Sequence, residues 1–162
     1  MSGDKTWKAA VITLSDGVIA GTRQDRSGEV LSEMLAEAGY EIGIRHAVED
    51  TEELIVAALE EACRQVDLVV TTGGTGLGPR DVTPEATKRV IEREVPGLAH
   101  VMMAAGLAVT PMAALSRAVV GARGSTLIIN LPGSPKGAVE NLTPVLGILP
   151  HALDLLAGDT VH

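Results

Sequence analysis

Between a greasy run and a charged one lies the segment TTGGTGLGPRDVTPEAT, residues 71–87. It gathers Gly73, Gly74, Gly76 and Gly78, with Thr75 among them, and then Arg80 and Asp81. Glycines let backbone amides close around an anion, and a helix starting just beyond adds partial positive charge, so this loop reads as a phosphate cradle. Neither standard phosphate motif fits it. A dinucleotide-binding loop needs a glycine where Pro79 stands, and a P-loop needs Lys-Ser/Thr where Pro79-Arg80 follow Gly78. Asp81 admits two readings: an aspartate bonding turn amides, or a ligand for Mg²⁺, which takes one or two carboxylates together with substrate phosphates.

Asp50 precedes Glu53 at the spacing of a capping box, so the residues alone favour a helix cap, a role compatible with metal ligation. Ser15, Asp16, Asp25 and Ser27 belong to the polar loop SDGVIAGTRQDRSG, which solvation and N-capping largely explain. Lys136 and Arg117 are lone basic residues that could neutralise phosphate or simply be solvated. The order of Ser, His and Asp suggests no triad, and Cys63 lacks a basic setting. Positioning and charge neutralisation remain, the means by which phosphoryl and nucleotidyl transfer are catalysed.

Composition narrows the partners. The 162 residues carry a net charge of -8, and Trp7 and Tyr40 are the only aromatics. A backbone grip on nucleic acid needs a cationic surface and base stacking needs aromatic platforms, so both observations argue against nucleic acid and none is expected as a partner. One cysteine permits neither an intrachain disulfide nor a cysteine zinc site. His46, His100, His151 and His162 show no metal-ligand spacing. No run reaches about 18 apolar residues and the N-terminus lacks a signal core, so no membrane association and a cytoplasmic location are expected.

The elements that must position these residues follow from periodicity. Strands are expected at Lys8–Leu14, at residues 40–47 with Tyr40, Ile42 and Ile44 on one face, and at residues 67–72. Helices are expected from Ser27, as N-cap, to a stop at Gly39, and across residues 50–66 on a stripe of Leu54, Ile55, Ala58, Leu59, Ala62 and Val66. Another starts at Thr83 as hydroxyl cap, followed by Pro84 and Glu85, and a further one spans about residues 98–109. Residues 117–131 read as a hairpin around Ala122-Arg123-Gly124, and a helical tail from Gly137 is interrupted at Pro144 and Pro150. The order implies one α/β domain over residues 1–162, a three-layer αβα sandwich whose mainly parallel, mixed sheet carries one antiparallel strand. Ligands of such sheets bind beyond the carboxyl ends of the strands. Ser15-Asp16, Glu49-Asp50, the glycine loop and LPGSPKG all fall there, so four separated stretches converge on one edge.

The glycine segment, with LSDGVIAGTRQDRSG, VEDTEEL and LSRAVVGARGSTLIINLPGSPKGAVENL, resembles the molybdenum cofactor biosynthesis family of MogA- and MoaB-type proteins, to which the G domain of gephyrin is related. The likeness covers nearly the whole chain, and the glycine motif is its most specific part. It implies a Rossmann-like molybdopterin-binding fold, a homotrimer or hexamer, and transfer of AMP from ATP to the terminal phosphate of molybdopterin, with Mg²⁺ and release of pyrophosphate. It places the two family acids on Asp50 and Asp81, as catalytic and metal-binding positions. It places the pterin-phosphate pocket on Gly73, Gly74, Thr75, Gly76, Ser116, Pro132, Gly133, Ser134 and Pro135, with Ser15, Asp16 and Asp25 nearby. A possible partner is the molybdate-inserting enzyme of the pathway. The chain lacks the longer C-terminal insertion of some adenylyltransferases, so binding of molybdopterin without ATP turnover is the alternative.

Overall fold

A computed structural model describes residues 5–159; His162 lies outside them. Six strands form one sheet: β1 (Lys8–Leu14), β2 (Glu41–Val48), β3 (Leu68–Thr72), β4 (Arg93–Glu94), β5 (Val120–Arg123) and β6 (Thr126–Leu131). Their spatial order is β2-β1-β3-β6-β5-β4, and β1 pairs in parallel with β2 and β3, as β3 does with β6. β5 runs antiparallel to both neighbours, so it is the one reversed strand, as expected. The two-residue β4 was not anticipated, being too short to show a period.

Alternation within the strands divides the core in two. Ala9, Val11, Leu68, Val70, Leu127 and Ile129 face a layer made by α2 (Arg26–Glu37), α5 (Pro96–Val109), α6 (Pro135–Leu146) and α7 (Leu149–Leu156), through Leu31, Leu35, Met102, Leu142 and Leu153. Ala10, Ile12, Val69 and Ile128 face α3 (Glu52–Cys63) and α4 (Thr83–Val90), through Ile55, Leu59, Ala86 and Val90. Each fully buried Leu or Ile contributes roughly 1.5–3 kcal/mol by leaving water.

Several boundaries differ from expectation for local reasons. In β2 the register shifts so that Ala9 pairs with Ile42 but Ala10 with Ile44. The extra residue, Gly43, flips the alternation, so Ile42 packs with Tyr40 on one face and Ile44 on the other. On α3, Val56 is buried whereas Leu54 is exposed. Asp25, not Ser27, caps α2, accepting from the Gly28 amide at 3.0 Å. Thr83 lies inside α4, and its hydroxyl donates to the Gly73 carbonyl at 2.9 Å instead of capping the helix. Pro144 sits within α6 without breaking it, and the tail divides at Gly147 and Ile148, with Pro150 in the first turn of α7. A short helix α1 (Asp16–Ile19) and a 3₁₀ turn (Pro111–Leu115) complete the chain.

Candidate functional site

The carboxyl ends of β1, β2, β3 and β6 open onto one cavity of about 700 Å³. Its wall includes Ser15, Asp25, Asp50, Asp81, Gly73, Gly74, Thr75, Gly76, Gly133, Ser134 and Pro135. The expected convergence of four loops is therefore present. Asp16 is one step behind, bonded to Asp50, whereas Ser116 and Pro132 line a separate hollow of about 50 Å³.

The loop's glycines have distinct reasons. Gly73 and Gly74 take φ of +102° and +69°, a region that L side chains rarely enter. A Cβ on Gly74 would also stand 2.3 Å from the Thr83 hydroxyl. Gly76 and Gly78 wrap the Asp81 carboxylate instead: a Cβ on either would lie 2.9 Å from its Oδ2. That oxygen accepts from the Gly78 amide at 2.8 Å, so Asp81 does brace its turn, toward a residue before it rather than after. Among the hydrogen bonds of the described residues, none is donated by the amides of Gly74, Thr75 or Gly76. Ser134 caps α6 at the opposite wall, its hydroxyl accepting from the Gly137 amide at 3.1 Å. Vacant amides and a helix N-terminus facing one space suit an anion.

Asp50 is not the cap of α3. Thr51 occupies the cap position, with no side-chain cap bond. The Asp50 carboxylate turns toward α1, where Oδ2 accepts from the Asp16 amide at 3.1 Å and the Asp50 amide donates to Asp16 Oδ1 at 3.0 Å. Arg80 closes the clasp, donating through Nε and Nη2 to the two Asp16 oxygens at 3.0 and 3.1 Å. Asp50 Oδ1 is buried without any hydrogen-bond partner. Burial pushes the Asp50 carboxyl above its usual range, with the charges of Asp16 and Asp81 adding to the rise. The Arg80 bond holds Asp16 below its usual range, helped by the Asp50 amide.

An unpartnered buried carboxylate oxygen is costly unless a cation completes it. Asp50 Oδ1 therefore fits a role as cation ligand. Of the two other carboxylates on the wall, Asp81 is the one not engaged by a side chain among the described residues, Asp25 being bonded to Thr13 and paired with Arg45. Among the described residues no three acidic, histidine or cysteine side chains group as a metal site. Mg²⁺ does not require such a cage, because phosphate oxygens and water ordinarily fill most of its positions.

Asp25 is held by three partners: the Thr13 hydroxyl at 2.8 Å, the Gly28 amide, and Arg45 at 3.9 Å. Arg23 and Arg26 also line the cavity and were not singled out from sequence. The signal was their flanking of Asp25 in GTRQDRSG, beside the expected phosphate pocket. Arg117 is half-buried rather than simply solvated: its guanidinium bonds the carbonyls of Gly76 and Asp81 and the Glu85 carboxylate. Lys136 is exposed and pairs loosely with Glu140 at 3.9 Å.

Fold and site together define an α/β protein whose cavity lies at the carboxyl edge of its sheet, lined by a glycine loop and the aspartates Asp25, Asp50 and Asp81. Residues 10–151 match the family described as probable molybdopterin binding domain, and the chain belongs to that family. It is 41% identical to a molybdopterin adenylyltransferase of Helicobacter pylori, over 96% of this chain and 90% of that protein. It is 39% identical to a molybdenum cofactor biosynthesis bifunctional protein of Synechococcus elongatus, over 93% of this chain but 47% of that protein. The crystal structure of the molybdopterin biosynthesis enzyme MoaB from Thermus thermophilus superposes with a TM-score of 0.89 at 49% identity, covering 94% of this chain and 98% of that one.

Proposed function

We propose that this protein is a molybdopterin adenylyltransferase of molybdenum cofactor biosynthesis, acting as one molybdopterin-binding domain. The observation that carries the reading is a single cavity lined by the vacant amides of the glycine loop, with the Asp50 and Asp81 carboxylates set close against that loop. Its volume lies within the ordinary range for small-molecule sites, roughly 300–1,000 Å³. In the reaction a terminal phosphate oxygen of molybdopterin attacks the α-phosphorus of ATP. A new P–O bond forms, the bond from the α-phosphorus to the bridging oxygen breaks, and pyrophosphate leaves.

The amides of Gly74, Thr75 and Gly76 and the start of α6 at Ser134 hold the pterin phosphate and orient its oxygen. Arg23 and Arg26 offset its charge. Asp50 and Asp81 hold Mg²⁺, whose charge, when bound, neutralises the nucleotide phosphates and favours attack at phosphorus. The clasp of Asp16 and Arg80 keeps Asp50 turned toward the cavity. Ser15, which caps α1 by accepting from the Val18 amide at 3.2 Å, keeps that helix in place.

The protein assembles as a homotrimer, or a hexamer built from it, in the cytoplasm, where ATP and Mg²⁺ are plentiful. Exposed Leu107, Val109, Met112 and Leu115, along the end of α5 and the turn after it, support self-association. The bifunctional relative supports the molybdate-inserting activity as the next partner, since this chain matches about half of that protein. The test is incubation with molybdopterin, ATP and Mg²⁺ beside the Asp81→Asn variant. The wild type is expected to yield adenylyl-molybdopterin, and the variant to bind the pterin with turnover lowered about 100-fold or more. Pterin binding without product in the wild type would leave only the binding role.

A further inference from the structure

We infer that Arg117 is a positioning residue for this site, holding the glycine loop closed around Asp81 from behind. The inference rests on the adenylyltransferase reading for its catalytic consequence, though not for its geometry. All three guanidinium nitrogens are engaged. Nε donates to the Gly76 carbonyl and Nη2 to the Asp81 carbonyl, each at 2.7 Å, while Nη1 pairs with the Glu85 carboxylate on α4. The Arg117 backbone amide adds a bond to the Thr75 carbonyl at 2.8 Å. The two carbonyls held by the side chain lie on either side of residues 77–80. One fork therefore staples both ends of the segment whose inner bonds run only between Gly78 and Asp81.

Arg117 is itself fixed to the sheet. Two residues on, the Val119 amide donates to Asn130 Oδ1 at 3.0 Å, and the Asn130 amide donates back to the Val119 carbonyl at 3.1 Å. Asn130 Nδ2 donates to the hydroxyls of Thr71 and Thr87, at 3.1 and 3.0 Å, in a fully buried junction of β3, β6 and α4. A chain of bonds thus runs from the sheet, through Val119 and Arg117, to the backbone that carries Asp81. Arg117 does not line the main cavity. It borders a second one of about 470 Å³ behind the loop, with Glu85, Lys88 and Glu94. A phosphate in the main cavity meets the loop, not this guanidinium, so the arginine acts through Asp81.

A lysine keeps the charge but cannot satisfy two carbonyls and a carboxylate with a planar fork. This separates positioning from charge neutralisation. Arg117→Lys and Glu85→Gln in the full chain are compared with wild type for turnover, molybdopterin affinity, Mg²⁺ dependence and exchange of the Gly78 amide. Arg117→Lys is expected to lower kcat by about 10–100-fold, the scale of a misplaced catalytic group. Its half-saturating Mg²⁺ should rise, its molybdopterin affinity should stay within about threefold, and Gly78 should exchange faster. Glu85→Gln, which leaves both carbonyl bonds, should fall between. Near-complete rescue by lysine, or a loss confined to pterin or ATP binding, would overturn positioning in favour of a charge role. If the wild type makes no product, the adenylyltransferase reading fails separately. Gly78 exchange then decides alone: acceleration in Arg117→Lys upholds the staple, and unchanged exchange refutes it.

Discussion

Asp50 shows how a residue's role is decided by a partner that local spacing cannot reveal. Its distance to Glu53 fits a capping box, yet the carboxylate bonds the amide of Asp16, 34 positions earlier. The phosphate-cradle reading of residues 73–76 was legible because glycine spacing reports backbone demands directly. The clasp was not, because it joins the ends of two strands brought together only by β1–β2 pairing. The two clasped acids have opposite pH behaviour. Asp50, with its carboxyl raised chiefly by burial, favours the fold when protonated, and that contribution is lost as pH rises through its folded pKa. Asp16, lowered chiefly by the Arg80 bond, favours the fold when ionised, and its contribution is lost only as pH falls through its depressed pKa. Removing the Asp50 charge should therefore spare the fold while removing the metal ligand. Asp50→Asn is expected to lose adenylyl transfer yet melt at the same temperature or about 1–4 °C higher by calorimetry. A clear fall in melting temperature would contradict the account of its buried oxygen. At limiting Mg²⁺ the wild-type rate should decline toward acid pH as Asp50 takes up its proton, and saturating Mg²⁺, which competes with that proton, should move the decline to lower pH.

At the scale of elements, most of the sheet and its helices could be read from periodicity, because long apolar stripes report burial. The failures fall where one residue alters a local geometry. Gly43 inserts a bulge that moves Ile44 to the other face, and Asp25 takes the cap from Ser27 because Thr13 and Arg45 hold its carboxylate. Arg117 was read as a phosphate neutraliser or a solvated charge, and its grip on the loop escaped for a related reason: the carbonyls it holds are presented only once the loop is folded. The join between the glycine loop and α4 is the most exacting. Gly74 combines a positive φ with the Thr83 hydroxyl where a Cβ would go, and Thr83 ties α4 to the Gly73 carbonyl. Gly74→Ala is thus expected to cost about 1–3 kcal/mol in urea unfolding and to weaken molybdopterin binding. A neutral effect on both would show that the loop adapts freely.

For the whole molecule, the net charge of -8 argues against a broad anionic partner but not against a small one. Arg23, Arg26 and the start of α6 bring positive groups to the cavity beside the carboxylates of Asp25, Asp50 and Asp81, a local mixture that a global tally cannot show. The same scale governs assembly. Sedimentation at micromolar protein should give a trimer or a multiple of it, and Met112→Glu with Leu115→Glu should shift the mass toward the monomer. A monomeric wild type would contradict the proposed oligomer. The central claim concerns which phosphorus of ATP is attacked, and a single-turnover reaction with molybdopterin, Mg²⁺ and ATP labelled at the α-phosphate tests it most directly. The account predicts that the label appears in the pterin product with one pyrophosphate released for each molybdopterin consumed. Label remaining in ADP with release of single phosphate, or in unreacted ATP while the pterin is bound, would contradict it.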